Sequence, residues 1–341
     1  MELSRDGPGL LLRDMLKGED SQIAAAMAVL ADTRPDIVLL TGIDLDPGGA
    51  TLSALQSALA AAELPFSYAF APPGNAGAPS GVDLDGDGRL GTARDALGYG
   101  RFRGDGAMAL LSRYPILADE AQDFTDLLWR DLPGAEPPLD ADGGPFPSAE
   151  AAAIRRLSSV GHWAVPIAGP GGARLIVLCY SATPPVFDGP EDLNGRRAAD
   201  ESRFWLSWLA GDLGPVPDRP VVLLGRANLD PADGDGPRAA IRNLLESARL
   251  QDPAPASAGA RAARDPEHRG DPGQDTVEWR AMAKGGPGNL RVDYVLPDAD
   301  LAVTGAGVHW PKGPAQTVRA ASRGRLVWVD VAWPPAGSDG D

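Results

Sequence analysis

Apolar residues along this chain gather in short blocks, separated by long polar stretches rich in glycine and proline. Residues 19–34 carry helical spacing. Ile23, Met27 and Leu30 fall on one face, Asp20 or Ser21 stands where a helix is capped, and Arg34-Pro35 stops it. Residues 37–40 follow as a continuous apolar run, the pattern of a strand buried on both faces. A second helix is expected near 50–62, leading to a strand over 66–70. Further strands are expected at 108–111, 163–167, 175–180, 221–224, 292–296 and 326–331. A helix over 196–209 pairs Phe204 with Trp208 and Trp205 with Leu209.

The stretches 72–106, 129–150 and 251–288 lack periodicity and read as long loops of one domain covering 1–334, because the strands on either side need one another to complete a sheet. Residues 335–341 read as a disordered polar tail. No fixed-period repeat is visible.

Composition narrows the function classes. A chain of 341 residues with 43% hydrophobic and 23% charged content is long enough for a full core and ordinary for a globular protein. Its 31 basic and 47 acidic residues give a net charge of -16. Such a chain has no general attraction for a phosphate backbone, so nonspecific nucleic-acid binding is disfavoured, although a local basic pocket remains compatible. Cys179 is the sole cysteine, so no intrachain disulfide holds the fold. No apolar run reaches the ~18 residues of a spanning helix, and the start MELSRDGPG lacks the regions of a signal peptide. The expectation is a soluble chain, with no membrane association and the cytoplasm as default.

The most informative segment is VVLLGRANLDP (221–231), where an apolar strand runs into glycine and an asparagine follows at the strand's carboxyl end. It resembles the strand-then-GDxNxDP signature of the endonuclease/exonuclease/phosphatase superfamily. RPDIVLLTGID, AMALLSRYPI and RVDYVLP are similar to that family's other strands, in the family's order. TPPVFDGPEDLNGRR, LSSVGHW, GNLRVDYVLP and ASRGRLVWVDV look like one large bacterial subgroup, so the resemblance covers essentially the whole chain. It implies a two-sheet α/β sandwich flanked by helices, DNase I-like, with the site at the strand ends. It also implies Mg²⁺- or Mn²⁺-dependent phosphoester hydrolysis. In that chemistry a glutamate holds the metal, an aspartate and an asparagine orient water and substrate, and two histidines serve the phosphate.

Position by position, most of that chemistry is missing. The resemblance places the metal-binding glutamate at Gly42, the first histidine at Ser181, the aspartate of the signature at Arg226, and the acid–histidine pair at Arg323-Gly324. A polar pair of the subgroup reads Ala198-Ala199. Asn228 and Asp293 remain as relict catalytic positions. The family's first strand, with another asparagine, has no counterpart before Met1. Either the start is misplaced, or the sheet has a gap that a compensating strand or partner must cover. Asp44 and Asp46 lie just past Gly42 and could in principle reach a metal, but two arginines where the family has acids oppose a dication.

Other constellations leave alternatives open. Asp83, Asp85 and Asp87 match the first half of a calcium loop, yet the twelfth position is Arg94 rather than glutamate, so a weak Ca²⁺ site and an ordinary Asp-Gly turn series both fit. Arg226 and Arg323, with Arg197, suggest an anion-binding pocket; in the competing reading each arginine pairs with acids such as Asp230, Asp233 or Asp44 and plugs the cleft. His162 and His309, each before a tryptophan in a strand region, read as structural. His268 likewise stands at none of the vacated positions. Three functions follow as expectations: an inactive or impaired family member kept as a binding or scaffolding module for an unidentified ligand or protein, a phosphoesterase with a reorganised site, and a Ca²⁺-stabilised interaction domain.

Overall fold

The computed structural model describes residues 1–313 and 316–334, so the tail expected at 335–341 lies outside the described residues. The elements in order are α1 (Leu10–Lys17), α2 (Ser21–Thr33), β1 (Ile37–Ile43), α3 (Ala50–Ala61), β2 (Tyr68–Phe70), β3 (Ala107–Ser112), β4 (Gln122–Asp123), α4 (Ala149–Ile154) and β5 (His162–Ala168). Then come β6 (Arg174–Ser181), α5 (Leu193–Ala210), β7 (Val221–Arg226), α6 (Arg238–Leu245), α7 (Ala258–Ala262), β8 (Asp293–Pro297), β9 (Val303–Val308), α8 (Gln316–Ala321) and β10 (Val327–Val331).

The local chemistry accounts for these boundaries. Asp20 caps α2 by accepting a hydrogen bond from the Ile23 amide at 2.9 Å, and Arg34 turns left-handed just before Pro35. The buried strands are the uninterrupted apolar runs, as at β6, where only Arg174 is more than slightly exposed.

Five strands form one sheet in the order β4-β5-β6-β7-β8, antiparallel throughout except for β6 against β7. Opposite it stand a three-stranded piece, β1-β3-β2, and a two-stranded piece, β10-β9. Met108 and Leu110 of β3 pack between the layers against Trp163, Val165, Val177 and Cys179. Ile23, Leu30, Leu55 and Leu59 from α2 and α3 cover the outer face of β1 and β3. Phe204, Trp205 and Trp208 of α5 cover the outer face of the larger sheet, against Leu178, Tyr180 and Leu223. The architecture is therefore the α/β sandwich with helices outside that the sequence implied.

Three expectations change. β1 is not buried on both faces: Val38 and Leu40 are covered by helices, while Ile37 and Leu39 on the other face are half-buried. They border a hollow, because β1 and β10 do not pair with each other and the smaller sheet is split there. β9 was not anticipated. Its VTGAGV carries two glycines, which weaken the strand pattern, and it is held by pairing with β10. Helices α1 and α6 also went unread, and the loop expected over 251–288 contains the short α7. Among the described residues no helix is long and apolar enough to cross a membrane.

Candidate functional site

The carboxyl ends of β6 and β7 and the start of β8 bring three of the singled-out positions side by side. Ser181 is in register with Arg226, and Arg226 with Asp293. Asn228, two residues past the end of β7, sits in left-handed backbone at φ 54°. Its amide nitrogen donates to the Ala182 carbonyl at 2.7 Å, and its Oδ1 accepts from Arg226 Nε at 3.0 Å. The same guanidinium reaches toward Asp293, with Nη1 3.8 Å from Oδ1. Arg226 thus lies between Asn228 and Asp293. A side chain built at Gly324 would begin 3.4 Å from Arg226 Nη1, so the guanidinium also borders the position where the family pattern has its histidine.

Two residues that the motifs did not single out complete the site. Thr276 donates its hydroxyl to Asp293 Oδ2 at 3.0 Å and accepts the Val292 and Asp293 amides, fixing the carboxylate on a loop. Glu2 pairs with Arg323, whose Nη2 and Nε lie 2.6 and 2.7 Å from Oε1. Burial would raise the Glu2 carboxyl, but Arg323, with Arg226 behind it, holds it below the usual carboxylate range. No sequence signal marks either residue: Thr276 sits in an aperiodic loop, and Glu2 meets its partner from 321 residues away.

The partners expected for a plugged cleft are thereby corrected. Arg226 and Arg323 pair with Asp293 and Glu2, not with Asp230, Asp233 or Asp44. Asp230 accepts the amides of Ala232, Asp233 and Arg291 and shapes the turn after β7. The three-arginine pocket does not assemble either. Arg323 points outward with a side chain 67% exposed, and Arg197 is buried on the carbonyl oxygens of Leu97, Arg156, Leu157 and Ser158. A guanidinium spent on four carbonyls is a loop anchor.

Gly42 explains why a metal ligand does not fit. It lies at a bulge between β1 and β3 with φ 69°, and a Cβ there would meet the Met1 carbonyl oxygen at 2.3 Å. The backbone of residues 1–3 fills the space a side chain would need, held by Met1 N–H to Thr41 O and Leu3 N–H to Gly42 O. Nor do the fallback carboxylates face this site. Asp44 accepts the Arg5 and Gly106 amides at 2.7 and 3.0 Å, and burial raises its carboxyl. Asp46 caps α3 through the Ala50 and Thr51 amides. With an arginine at its centre and no carboxylate available beyond two already paired, the donor set does not suit a divalent metal.

The histidines are elsewhere. His162 is fully buried among Tyr180, Phe204 and Trp205 and hydrogen-bonded on both ring nitrogens, while His309 approaches Asp32 at 3.8 Å. Cys179 is buried and its thiol is pushed far up by desolvation. Among the described residues one acidic group could gather an ion: Asp83, Asp85 and Asp87 each offer an oxygen within 4.8 Å of the others. The loop is already pinned without one. Asp83 accepts the Gly86 and Gly88 amides, and Arg94 lies 3.7 Å from Asp85.

A family model described as "Endonuclease/Exonuclease/phosphatase family" matches residues 16–339. Among solved structures, an endonuclease/exonuclease/phosphatase from Beutenbergia cavernae DSM 12333 superposes with a TM-score of 0.54 at 18% identity, covering 98% of this chain and 69% of that one. A family protein from Leptotrichia buccalis C-1013-b gives 0.47 at 14% identity, over 93% and 94% of the two chains. A mannosyl-6-phosphatase from Bacteroides thetaiotaomicron VPI-5482 gives 0.47 at 12%, over 97% of each. No curated protein sequence matches the chain.

Proposed function

Because the chain belongs to the endonuclease/exonuclease/phosphatase family, we propose that it is a member whose hydrolytic centre is closed by Arg226 and whose fold serves as a binding or scaffolding module. The observation that carries this reading is the Arg226 guanidinium held between Asn228 Oδ1 and the Asp293 carboxylate. The family's chemistry needs negative ligands around a dication that stabilises charge developing on the phosphoryl oxygens. Here a fixed positive charge stands among the surviving polar groups, and Gly42 leaves no room for the carboxylate that would outweigh it. Mutual repulsion in a half-buried pocket works against metal entry.

The test is an assay of the intact protein with Mg²⁺ or Mn²⁺ on a generic phosphodiester and a generic phosphomonoester. No metal-dependent turnover above the blank is expected for the parent or for Arg226→Ala. Turnover that requires metal and disappears in Asn228→Ala and Asp293→Ala would establish a reorganised phosphoesterase instead.

A second reading has its own observation, the convergence of Asp83, Asp85 and Asp87. In this reading the loop takes up Ca²⁺ weakly and stiffens an interaction surface. Desolvation first, then the charges of Asp87, Asp95 and Asp83, raise the Asp85 carboxyl, an effect that a bound cation would oppose. A calorimetric titration with Ca²⁺ should give saturable heat that Asp83→Asn abolishes, whereas a flat trace without thermal stabilisation ends this reading.

A further inference from the structure

The segment that follows Asp275 and the turn that precedes β10 pair along their backbones. Glu278 N–H donates to the Arg323 carbonyl at 2.9 Å, Arg325 N–H donates to the Thr276 carbonyl at 2.7 Å, and Val277 bridges Gly324 antiparallel. Thr276 and Gly324 border the strand-end site, while the residues beyond them line a second hollow of about 350 Å³. In a chain of net charge -16 this hollow is locally basic. Arg280, Arg319, Arg323 and Arg325 line it with Trp279, against the one lining carboxylate of Glu278.

The four arginines are not equivalent. Arg325 is buried over the Trp310 ring, 4.5 Å from its centroid, and bonded to Glu278 and to the Ser322 and Arg323 carbonyls. Its charge is spent. Glu278 also clasps Arg319, accepting Nε at 2.9 Å and Nη2 at 2.8 Å, and Glu2 clasps Arg323. Among the described residues, no hydrogen bond uses Nη1 of Arg319 or of Arg323, and the exposed Arg280 side chain has no partner. Trp279 is half-buried: it packs on Val277, Leu290 and Val292 and still lines the hollow.

The arrangement selects among anions. Carboxylates are what Arg319 and Arg323 already take within the fold. Because Glu278 holds one of these guanidiniums and Glu2 the other, their open N–H groups are tethered separately. A lone phosphate needs donors aimed at one point, whereas carboxylates on one face of an extended peptide lie ~7 Å apart and can meet separated cations. A nucleic-acid strand would carry its charge past the hollow and over an acidic protein, where repulsion works against it. A short acidic segment confines its charge to the basic surface.

We propose that this hollow is a docking site for an acidic segment of a partner protein. Arg280, Arg319 and Arg323 pair with carboxylates along that segment, and Trp279 takes an apolar side chain lying among them. The proposal holds whether or not the strand-end site hydrolyses anything.

The experiment uses the full chain and a fluorescein-labelled nonapeptide in which serine alternates with four glutamates around a central leucine. A control peptide has glutamine at each glutamate. Fluorescence anisotropy should show saturable binding of the first peptide, falling with added salt, and none of the second. Arg280→Glu should weaken binding about tenfold, because it sets a like charge opposite the ligand. The Arg280 side chain has no partner to lose, so this variant should melt at the parent's temperature. Arg323→Gln should weaken binding further when combined with it. No saturable binding, equal binding of the glutamine peptide, or undiminished binding in both variants would overturn the proposal. Tighter binding of inorganic phosphate or of a ten-nucleotide oligothymidylate would assign the hollow to phosphates and overturn it as well.

Discussion

Gly42→Glu, which puts a carboxylate back where the family pattern has its metal ligand, is expected to lower stability by about 3 kcal/mol and to confer no Mg²⁺ affinity. The cost has two sources. A non-glycine residue at φ 69° is strained by roughly 1–2 kcal/mol. The new Cβ would also stand 2.3 Å from the Met1 carbonyl oxygen, a backbone atom that cannot rotate away as a side-chain tip could. The relief open to the molecule is to push residues 1–3 off β1, which breaks the bonds from Met1 to Thr41 and from Leu3 to Gly42. Even then the Arg226 guanidinium, held between Asn228 and Asp293, would oppose a dication at the strand ends. Urea unfolding with a Mg²⁺ titration decides the matter. A Gly42→Glu protein as stable as its parent and binding Mg²⁺ would show that the cleft is still a metal site.

The same residue shows how far the sequence could be read. A glycine in RPDIVLLTGID says that the ligand atom is absent. It cannot say that the backbone of residues 1–3 lies against it, because that contact spans about forty positions and follows from tertiary packing. The strands were legible because they are nearly uninterrupted apolar runs, and the caps of α2 because Asp20 and Arg34-Pro35 act locally. β9 was not, since two glycines dilute its pattern and its stability comes from β10. At the site, the ends of β6, β7 and β8 bring together Ser181, Arg226 and Asp293, three positions that the motifs singled out. They did not reveal that Arg226 turns to Asn228 and Asp293, nor that Arg197 is withdrawn into a loop. Charge counting treats arginines as equivalent, whereas burial and the nearest acceptor decide what each one does.

The edge of β1 and the strand-end site have one structural link, the backbone of residues 1–3. It makes the short parallel pairing at the end of β1, occupies the space over Gly42, and delivers Glu2 to Arg323.

Acid is expected to unfold this protein partly through His162. The ring lies fully buried, and its Nε2 faces the Glu201 carbonyl at 2.9 Å, an oxygen that can only accept. Nε2 therefore carries the hydrogen, and Nδ1 accepts from the Ser158 hydroxyl at 2.6 Å. A second proton would have to displace that hydroxyl hydrogen inside an aromatic cage. Burial, reinforced by the charge of Arg197 and only partly opposed by the Glu201 carbonyl, lowers the imidazole from its ordinary 6.5 to about 3. Between these values the unfolded chain takes a proton that the folded chain refuses. The contribution of His162 is thus intact above pH 6.5 and declines as pH falls toward 3, by up to ~1.4 kcal/mol per unit, or about 2 kcal/mol by pH 5. Asp275 works in the opposite sense. Burial and the acids around it, Asp230 and Asp233 first, raise its carboxyl to about 7, so it favours the folded state increasingly as pH drops from 7 toward 3.8. The parent's profile mixes the two, and the informative quantity is its difference from His162→Gln, whose amide can still donate to Glu201 but cannot titrate. That difference, measured by urea unfolding from pH 7.5 to 4.5, should be level above pH 6.5 and shrink steadily below it. Parallel profiles would mean that the ring is protonated in the folded protein and that the cage around it opens far more readily than its packing implies.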